Sequence, residues 1–507
     1  MKLSSLLEAL PSKDVLCFDE LDIKTICYDS RQAQPGYLFV ALPGFHVDGH
    51  DFIPDAVARG ATAIVAERRW VESNQDSGRI AQLTLPLVVV NDSRRALAEL
   101  SAAFYDHPGR KLRVIGVTGT DGKTTTIHLI NAILEEAGYR TGLLDTVDFK
   151  IGERWWENET RLTTQQSLEV QQLLANMVQE KVDYAIIEST SHALALERVT
   201  GCEYDVGVFT NLSADHLDFH GTQQEYLRAK ARLFEMLSEA FPKGIEKASI
   251  LNADDQAFTA LRAVSPPRVI SYSIENDSSV RAKDVQLSEK GASFTATTPE
   301  GELRILLKLA GIFNVYNSLA AIATGLSQGI KLITAKQALE SVEGVPGRME
   351  RIDIGQPFSV IVDYAHTANG LQKVLEMLRP LVKGKLVVVF GCAGERDRGR
   401  RWGMGQVAGR YADFSVLTNE DPRSEDPVSI LEEIESSMAT TGRVEGRDYV
   451  KIADRRQAIR FAFEMAASGD LVLLAGKGHE KSIIVGNEML PWDDRLVARE
   501  ILQELKA

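Results

Sequence analysis

The sequence predicts an α/β protein built on parallel sheets with helices on both faces. Short apolar runs that end in glycine or polar residues alternate with helical stretches along most of the 507-residue chain. Between one such run and the next helical stretch lies a glycine turn that ends in Gly122-Lys123-Thr124-Thr125. The chain is too long for one core, so we expect three domains, residues 1–108, 109–345 and 346–507.

The N-terminal region contains three apolar runs that we expect to be strands, YLFVAL, ATAIVAE and LPLVVVND, separated by turn-rich pieces. The opening segment is short and broken by Pro11, so it lacks the long apolar core of a signal peptide. No apolar run elsewhere is long enough to span a bilayer. These features predict a cytoplasmic protein with no membrane insertion.

In the central region, strands predicted at RVIGVTG, YAIIEST, VGVFTNL and KASILNADD alternate with helices predicted at IHLINAILEEAG and QQEYLRAKARLFEML. This alternation predicts a mainly parallel sheet. Residues 280–310 alternate instead like antiparallel strands joined by glycine turns, which indicates a small side sheet.

The parallel pattern restarts in the C-terminal region with SVIVDYAH, KLVVVFGCAG, FSVLTNEDP and LVLLAGKGHE. Each run ends in polar or glycine residues and precedes a helical stretch. Ligands bind at the carboxyl ends of strands in open α/β sheets, so we expect a Rossmann-like domain with a site at these ends.

Charge and cysteine usage exclude several classes of protein. The net charge of −14 argues against a nucleic-acid-binding protein, since phosphate neutralisation needs a basic face. The four cysteines are scattered without a CxxC pair, which is typical of reduced thiols in a cytosolic enzyme.

The glycine turn at residues 116–125 has the composition of a phosphate-binding loop. An apolar run precedes it and a helix-like segment follows, so backbone N–H groups and the helix dipole can hold a triphosphate. Lys123 supplies a point charge, and Thr124 can reach Mg²⁺. The spacing departs from the standard motif, because Val117 stands where the first glycine is expected.

Two further predicted strand ends in the central region carry residues that metals bind. Glu188 ends one strand and suits Mg²⁺, which prefers oxygen ligands beside phosphate. His216 and His220 follow another strand, and a zinc site there is a weaker alternative because no cysteine lies near. Lys230, on a predicted amphipathic helix, would by default be a solvated lysine. By the same reasoning, Arg198, Arg348 and Asp363 could each belong to a surface ion pair.

Seven motifs occur in the order found in one enzyme family: VTGTDGKTTT, ESTSHAL, TNLSADHLDFHG, GIFNVYNSLAA, GVPGRME, VDYAHT and AGKGHE. With them the chain resembles the Mur ligases of peptidoglycan synthesis from about residue 25 to 500. The segments YDSRQAQPGYLFVALPGFHVDGHDFI, FGCAGERDRGRR and EDPRSEDP are similar to those of the member that adds the third residue, a diamino acid, to the stem peptide.

The resemblance implies an N-terminal UDP-binding domain, a central ATPase domain and a C-terminal domain that closes over the site. ATP would phosphorylate the terminal carboxylate of UDP-N-acetylmuramoyl-L-alanyl-D-glutamate, and an amino group would attack the acyl phosphate to form an amide. The cofactors implied are ATP and Mg²⁺, and we expect a monomer. The two Mg²⁺ ions, Lys123 and Arg198 would screen the approach of two anions.

The resemblance also implies a role for each matching residue. The ATP site would comprise Gly119, Thr120, Asp121, Gly122, Lys123, Thr124, Thr125, Asn317, Arg348 and Asp363. The UDP substrate would be held by Tyr28, Ser30, Phe45, His46, Val47, Thr163, Thr164, Thr190, Leu196 and Arg198. Catalytic and metal-binding roles fall to Lys123, Thr124, Glu188, His216 and Lys230, whose family counterpart is carbamylated. Asp121 departs from the family, which usually has asparagine there.

The added amino acid is the open point. Diaminopimelate-adding members typically carry Asp-Asn-Pro-Arg where this chain has Glu420-Asp421-Pro422-Arg423. The arginine, which would grip a distal carboxylate, is kept, and Arg396, Gly476 and Glu480 also match. Asp421 replaces a possible donor with an anionic acceptor that suits an ammonium. meso-2,6-Diaminopimelate is favoured, and L-lysine or L-ornithine is the alternative.

Two other functions are weighed against this ligase. A relative that acts on another acid, such as a folylpolyglutamate or cyanophycin synthetase, would not need the DSRQAQPG segment. A binding protein that merely hydrolyses ATP would not need Glu188, His216 and Lys230 together.

Overall fold

The computed structural model describes residues 1–506 except His46, 75–79, 81–82, Arg161, Ala214 and Glu289, and for Asp218 it describes the main chain alone. Contacts divide the chain into two units. The first contains Met1–Arg281 and Leu319–Ala335, and the second contains Ala282–Ser318 and Lys336–Ala507. The three-domain division stays a prediction.

The first unit begins with a five-stranded sheet in the order β1-β5-β4-β3-β2. Its strands are parallel except β1, which is antiparallel to β5. Alternate residues of β3 enter different cores, with Leu38 and Val40 on one face and Phe39 on the other. In chain order the elements are α1 (Leu3–Leu7), β1 (Asp14–Leu16), β2 (Thr25–Cys27), β3 (Tyr37–Val40), α2 (Ile53–Ala58), β4 (Ala63–Glu67), α3 (Arg68–Ser73), β5 (Leu87–Val90) and α4 (Ser93–Phe104).

The central sheet of the first unit runs in the order β13-β12-β11-β6-β10-β7-β8-β9. It is parallel from β13 to β7, as predicted, and β8 and β9 add an antiparallel edge. Its elements are β6 (Arg113–Thr118), α5 (Lys123–Glu136), β7 (Thr141–Leu144), β8 (Asp148–Ile151), β9 (Arg154–Glu157), α6 (Ser167–Gln179), β10 (Tyr184–Glu188), α7 (Ser191–Ala195), β11 (Val206–Phe209), α8 (Leu217–His220), α9 (Gln223–Glu239), β12 (Ala248–Asn252), α10 (Phe258–Val264) and β13 (Val269–Ser273).

The segment that predicted a side sheet forms β14 (Val280–Ser288), β15 (Gly291–Thr298) and β16 (Gly301–Leu307). β15 and β16 are antiparallel, as the alternation indicates. The first residues of β14, however, pair in parallel with β13, so the segment does not start as a separate sheet. Alternation of polar and apolar residues predicts that a segment forms a strand, but it does not predict which strand will pair with it. The predicted side sheet therefore differs from the observed pairing. Two helices follow, α11 (Ile312–Ser327) and α12 (Leu332–Ser341).

The second unit holds a six-stranded sheet in the order β17-β18-β22-β19-β20-β21. The four predicted strands are its parallel centre, with a core on each face. Its elements are β17 (Glu350–Ile352), β18 (Ser359–Asp363), α13 (Ala368–Leu378), β19 (Leu386–Phe390), α14 (Gly399–Tyr411), β20 (Phe414–Leu417), α15 (Pro427–Ala439), β21 (Tyr449–Lys451), α16 (Arg455–Met465), β22 (Leu471–Ala475), β23 (Ser482–Val485), β24 (Glu488–Pro491) and α17 (Asp494–Glu504). The α/β fold class is confirmed.

Among the described residues, no helix combines the length and the apolar character that crossing a bilayer requires.

Candidate active site

The predicted phosphate-binding loop connects β6 to α5, as expected from the sequence. Gly119 and Gly122 have φ angles of 151° and 81°, and α5 begins at Lys123. A Cβ atom at Gly119 would lie 1.8 Å from Thr210 Oγ1, so only glycine fits where the loop passes β11. The exposed Asp121 is anchored through its main chain, because its N–H donates to Asn211 Oδ1 over 3.1 Å.

Lys123, Thr124 and Glu188 lie together at the start of α5 and the end of β10. Thr124 Oγ1 donates to Glu188 Oε2 over 2.9 Å, and Lys123 Nζ lies 4.0 Å from Glu188 Oε1. Lys123 Nζ also donates to the carbonyl oxygens of Gly119 and Thr120, at 3.1 and 2.9 Å. Glu188 is only 2% exposed. This set of oxygens and one cation is what a nucleoside triphosphate with Mg²⁺ requires.

Besides Thr124, two further threonines form hydrogen bonds to Glu188. Thr146 binds Glu188 Oε2 through both its N–H, at 3.2 Å, and its hydroxyl, at 3.0 Å. Thr163 Oγ1 lies 3.1 Å from Thr146 Oγ1, and Thr164 Oγ1 donates to the Glu188 carbonyl over 2.5 Å. Thr190 caps α7 by accepting from Ala193 N. Thr146 follows β7, a strand too short for the sequence pattern to reveal, so sequence reasoning missed this residue.

Lys230 lies on the buried face of α9 and is not a solvated lysine. It is 1% exposed, its Nζ donates to the Gly119 carbonyl over 2.7 Å, and Nζ lies 4.2 Å from the Tyr226 ring centroid. Burial, together with the nearby charge of Lys123, lowers the pKa of Lys230 well below its usual range. The fold therefore holds an amine that loses its proton more readily than a solvated lysine beside the phosphate-binding loop.

His216 lies in a group of aromatic rings. Its ring lies 4.7 Å from that of His192, and Phe219 stacks on His192 at 4.2 Å. His216 Nε2 also lies 3.5 Å from Asp215 Oδ2. Phe45 from the N-terminal sheet region reaches the same group, with its ring 5.7 Å from Phe219.

The described residues that are predicted to hold the UDP substrate lie in segments between the strands of the first unit. Tyr28 Oη donates to Glu169 Oε1 of α6 over 2.8 Å. Ser30 is buried, whereas Phe45 and Val47 are 67% and 56% exposed. His46 lies outside the described residues. Leu196 ends α7 as its C-cap.

Arg198 extends towards Thr164, to whose carbonyl its guanidinium donates over 3.1 Å. Arg94, at the start of α4, lies close enough that its charge lowers the pKa of Arg198, although burial is the larger cause. Sequence reasoning missed Arg94. The available signal was a cation following the polar end of an apolar strand, in NDSRRALA.

In the second unit, Glu420 and Asp421 follow β20 but differ in surroundings. Asp421 Oδ1 accepts from Lys477 Nζ over 2.8 Å and from Ile484 N over 3.0 Å. Glu420 is 9% exposed, and its Oε2 has no hydrogen-bond partner among the described residues. Burial raises the pKa of Glu420 to about 8. A Cβ atom at Gly476 would lie 2.8 Å from Glu420 Oε2, so these two predicted residues are neighbours.

The loop Asp421–Pro422–Arg423 is fixed by its main chain against β23. Arg423, with φ 54°, donates from N to Ile484 O over 3.0 Å and accepts from Gly486 N over 2.7 Å. Burial and the charge of Arg423 lower the pKa of Arg396, so the two guanidinium groups are near each other. Glu480 Oε2 accepts from Lys477 Nζ over 2.5 Å. Three cations and the buried Glu420 thus lie around this strand end.

The remaining nucleotide-binding predictions also lie in the second unit. Asn317 donates to Asn314 Oδ1 over 3.1 Å on α11. The Arg348 guanidinium carbon lies 4.4 Å from the Tyr364 ring centroid. Asp363 accepts from Met349 N at 2.8 Å and Ala365 N at 2.9 Å, so its carboxylate anchors the main chain.

Comparisons with known proteins identify the family. Three family models match: the Mur ligase family catalytic domain at residues 22–105, the Mur ligase middle domain at 117–325 and the Mur ligase glutamate ligase domain at 347–478. The chain is 48% identical to a UDP-N-acetylmuramyl-tripeptide synthetase of Roseiflexus sp., covering 96% of this chain and 95% of that one.

Two further proteins support the assignment. A UDP-N-acetylmuramoyl-L-alanyl-D-glutamate–2,6-diaminopimelate ligase of Bacillus velezensis is 44% identical, covering 100% of this chain and 99% of that one. A solved structure of a ligase with the same name superimposes with a TM-score of 0.67 and 29% identity over 100% of both chains. The phosphate-binding loop, the buried lysine beside it and these matches show that the chain belongs to the Mur ligase family of ATP-dependent ligases.

Proposed function

We propose that this ligase adds meso-2,6-diaminopimelate to UDP-N-acetylmuramoyl-L-alanyl-D-glutamate in cytoplasmic peptidoglycan precursor synthesis. The observation that carries the proposal is the arrangement of Lys123, Thr124 and Glu188 beside the buried Lys230. Relatives that match nearly the whole chain bear the name of this activity. We also propose that the enzyme is a cytoplasmic monomer with three domains.

The reaction begins with a meeting of two anions. A carboxylate oxygen of the acceptor attacks the γ-phosphorus of ATP, the bond to the β-phosphate oxygen breaks, and ADP leaves. Lys123 lies where it can offset the negative charge of the β- and γ-phosphates, and the N-terminus of α5 adds its dipole. The amino group of the incoming amino acid then attacks the acyl carbon, loses a proton and expels inorganic phosphate.

The residues present suit Mg²⁺. Thr124 Oγ1 and Glu188 provide hard oxygen ligands, and the phosphates of ATP would complete the coordination. Bound there, Mg²⁺ would neutralise charge on the phosphates. Glu188 is already oriented by Thr124 and Thr146, so it need not reorganise to serve as a ligand.

Lys230 is suited to carbamylation. Its amine is buried and its pKa is lowered, which favours the neutral form, and a neutral amine adds to carbon dioxide with release of one proton. The product carries a carboxylate that can support a second metal ion together with His216. We expect the intact mass of the protein to exceed the calculated mass by one carbon dioxide, and Lys230→Ala to lack this increment and nearly all ligation.

Arg423 favours an amino acid with a distal carboxylate. The guanidinium matches a carboxylate in shape, and Arg396 adds a second positive charge nearby. L-Lysine and L-ornithine remain the alternative, but Asp421 gives them little support, because Lys477 already balances its charge. Arg423→Ala should raise KM for meso-diaminopimelate about 10- to 100-fold and leave KM for L-lysine nearly unchanged.

Isotope transfer tests the central step. With heavy oxygen in the acceptor carboxylate, one labelled atom should appear in each inorganic phosphate released during turnover. Phosphate release should require ATP, the UDP-linked acceptor and the diamino acid together. Unlabelled phosphate, or full phosphate release from ATP alone, would refute the ligase mechanism. Side-by-side product analysis with meso-diaminopimelate, L-lysine and L-ornithine decides which amino acid is added.

A further inference from the structure

Arg94 lies at the start of α4 and contacts Pro43 and Phe45, which follow β3. Its guanidinium donates to the Pro43 carbonyl, and its Cζ lies 5.9 Å from the Phe45 ring centroid. The loop after β3 carries Phe45 and Val47, which expose apolar side chains. Arg94 therefore lies beside residues expected to hold a nucleotide, although no motif points to it.

No carboxylate among the described residues forms an ion pair with Arg94, although Asp92 and Glu67 lie near enough to offset part of the effect of burial on its pKa. The side chain of Asp92 caps α4, accepting from the main-chain N–H groups of Arg94 and Arg95 at 2.9 and 3.1 Å. Glu67 binds Arg69 at 2.6 Å and Ser93 Oγ at 3.0 Å. Within the part of the chain that the structure describes, the Arg94 guanidinium forms no ion pair.

Arg198, which follows α7 in the central sheet region, likewise forms no ion pair among the described residues. Its only hydrogen bond among the described residues is to a neutral acceptor, the Thr164 carbonyl at 3.1 Å, and its Nε is buried without a hydrogen-bond partner. Burial lowers the pKa of each arginine, and the charge of Arg94 lowers that of Arg198 further. Two partly buried like charges that form no ion pair within the described residues are unfavourable, and a bound anion would relieve both.

We propose that Arg94, from the N-terminal sheet region, and Arg198, from the central sheet region, together bind the diphosphate of the UDP-linked substrate. The inference rests on the proposed function, which supplies a nucleoside diphosphate as substrate. Guanidinium groups bind phosphate oxygens through paired N–H donors, so two of them suit the two phosphates. Arg94 also holds Pro43, so it positions the loop that carries Phe45 and Val47.

Ligand binding to the full chain tests this role directly. The probes are UDP, UMP and uridine, measured by calorimetry with a non-hydrolysable ATP analogue present to occupy the phosphate-binding loop. Arg94→Met should weaken UDP binding about 10- to 100-fold and leave uridine binding within about twofold. Arg95→Met is the matched control, because Arg95 is adjacent on α4 and instead pairs with Glu99 at 2.9 Å. It should leave UDP binding within about twofold.

Further measurements separate the role of Arg94 from effects on folding. Arg94→Lys keeps the charge and should bind UDP with intermediate affinity, while thermal unfolding reports any loss of structure. In the unmodified protein, UDP should bind more tightly than uridine, and added salt should reduce that difference. Equal losses for UDP and uridine in Arg94→Met, or no loss for UDP, would overturn the assignment of Arg94. Failure of the unmodified protein to bind UDP at all would instead refute the proposed function.

Discussion

Arg455 and Asp494 form a buried ion pair beside the strand ends that precede Glu420 and Gly476. Their side chains are 1% and 0% exposed, with Arg455 Nε donating to Asp494 Oδ1 over 2.8 Å. A second bond of 2.6 Å joins the guanidinium to Asp494 Oδ2. The same guanidinium donates to the carbonyls of Asn419 and Ala475, at 3.1 and 3.0 Å. These two residues precede Glu420 and Gly476, so the pair fixes both strand ends of the site.

Asp494→Asn should destabilise the second unit severely. The substitution keeps the shape but leaves a buried guanidinium without its counter-charge, which costs about 3–5 kcal/mol. In domains of 150–250 residues, 1 kcal/mol shifts Tm by about 2–4 °C, so Tm should fall by about 6–20 °C. Differential scanning calorimetry of the full chain at neutral pH measures this shift in the transition of the second unit.

Two controls make the result interpretable. Glu500→Gln breaks the exposed pair between Arg456 and Glu500 on the same two helices and should cost less than about 1 kcal/mol. Arg455→Met combined with Asp494→Leu removes both charges and should recover most of the lost stability. If Asp494→Asn lowers Tm no more than Glu500→Gln does, the reasoning from buried charge is wrong.

Three further perturbations have defined outcomes. Thr146→Val removes the hydroxyl that binds Glu188 Oε2, so we expect the KM for Mg²⁺ to rise about 5- to 10-fold, with the KM for ATP less affected; an unchanged metal requirement contradicts this. His128 Nε2 lies 3.1 Å from Asp145 Oδ2. Burial of His128 lowers its pKa, but the charge of Asp145 outweighs this effect and raises the pKa of His128 above 6.5. The pair should stabilise the fold fully below pH 6.5 and progressively less as pH rises through the raised pKa. Urea unfolding at several pH values measures this trend, which should be absent in His128→Gln. Glu420 keeps its proton up to about pH 8 when folded but loses it near 4.5 when unfolded, so stability should fall as pH rises between these values, and Glu420→Gln should unfold without that slope.

Much of the fold follows from local patterns. The buried strands of the parallel sheets are continuous apolar runs, and the phosphate-binding loop is a short motif between a strand and a helix. These features depend on neighbours in sequence, so they could be predicted. The start of β14 could not, because its pairing with β13 depends on which strand edge is free and not on its own alternation.

The site was less accessible to sequence reasoning than the fold. Lys123, Thr124 and Glu188 are brought together as the strand-end pattern indicates. The helical pattern around Lys230 predicts a surface lysine, and only the resemblance to the Mur ligases indicated a catalytic role for it. Whether Asp421 faces a ligand or Lys477 depends on contacts across 56 positions of the chain, which no local pattern contains.

The ring contacts that run from Phe45 through Phe219 and His192 to His216 make the N-terminal part an integral piece of the enzyme. Each successive pair of ring centroids is separated by 5.7, 4.2 and 4.7 Å. A graft of this region from a relative would bring a foreign ring against Phe219 and disturb a histidine far along the chain. Changes at Phe45 are therefore constrained by rings of the central sheet region, and compensating substitutions at Phe45, Phe219 and His192 should occur together during evolution.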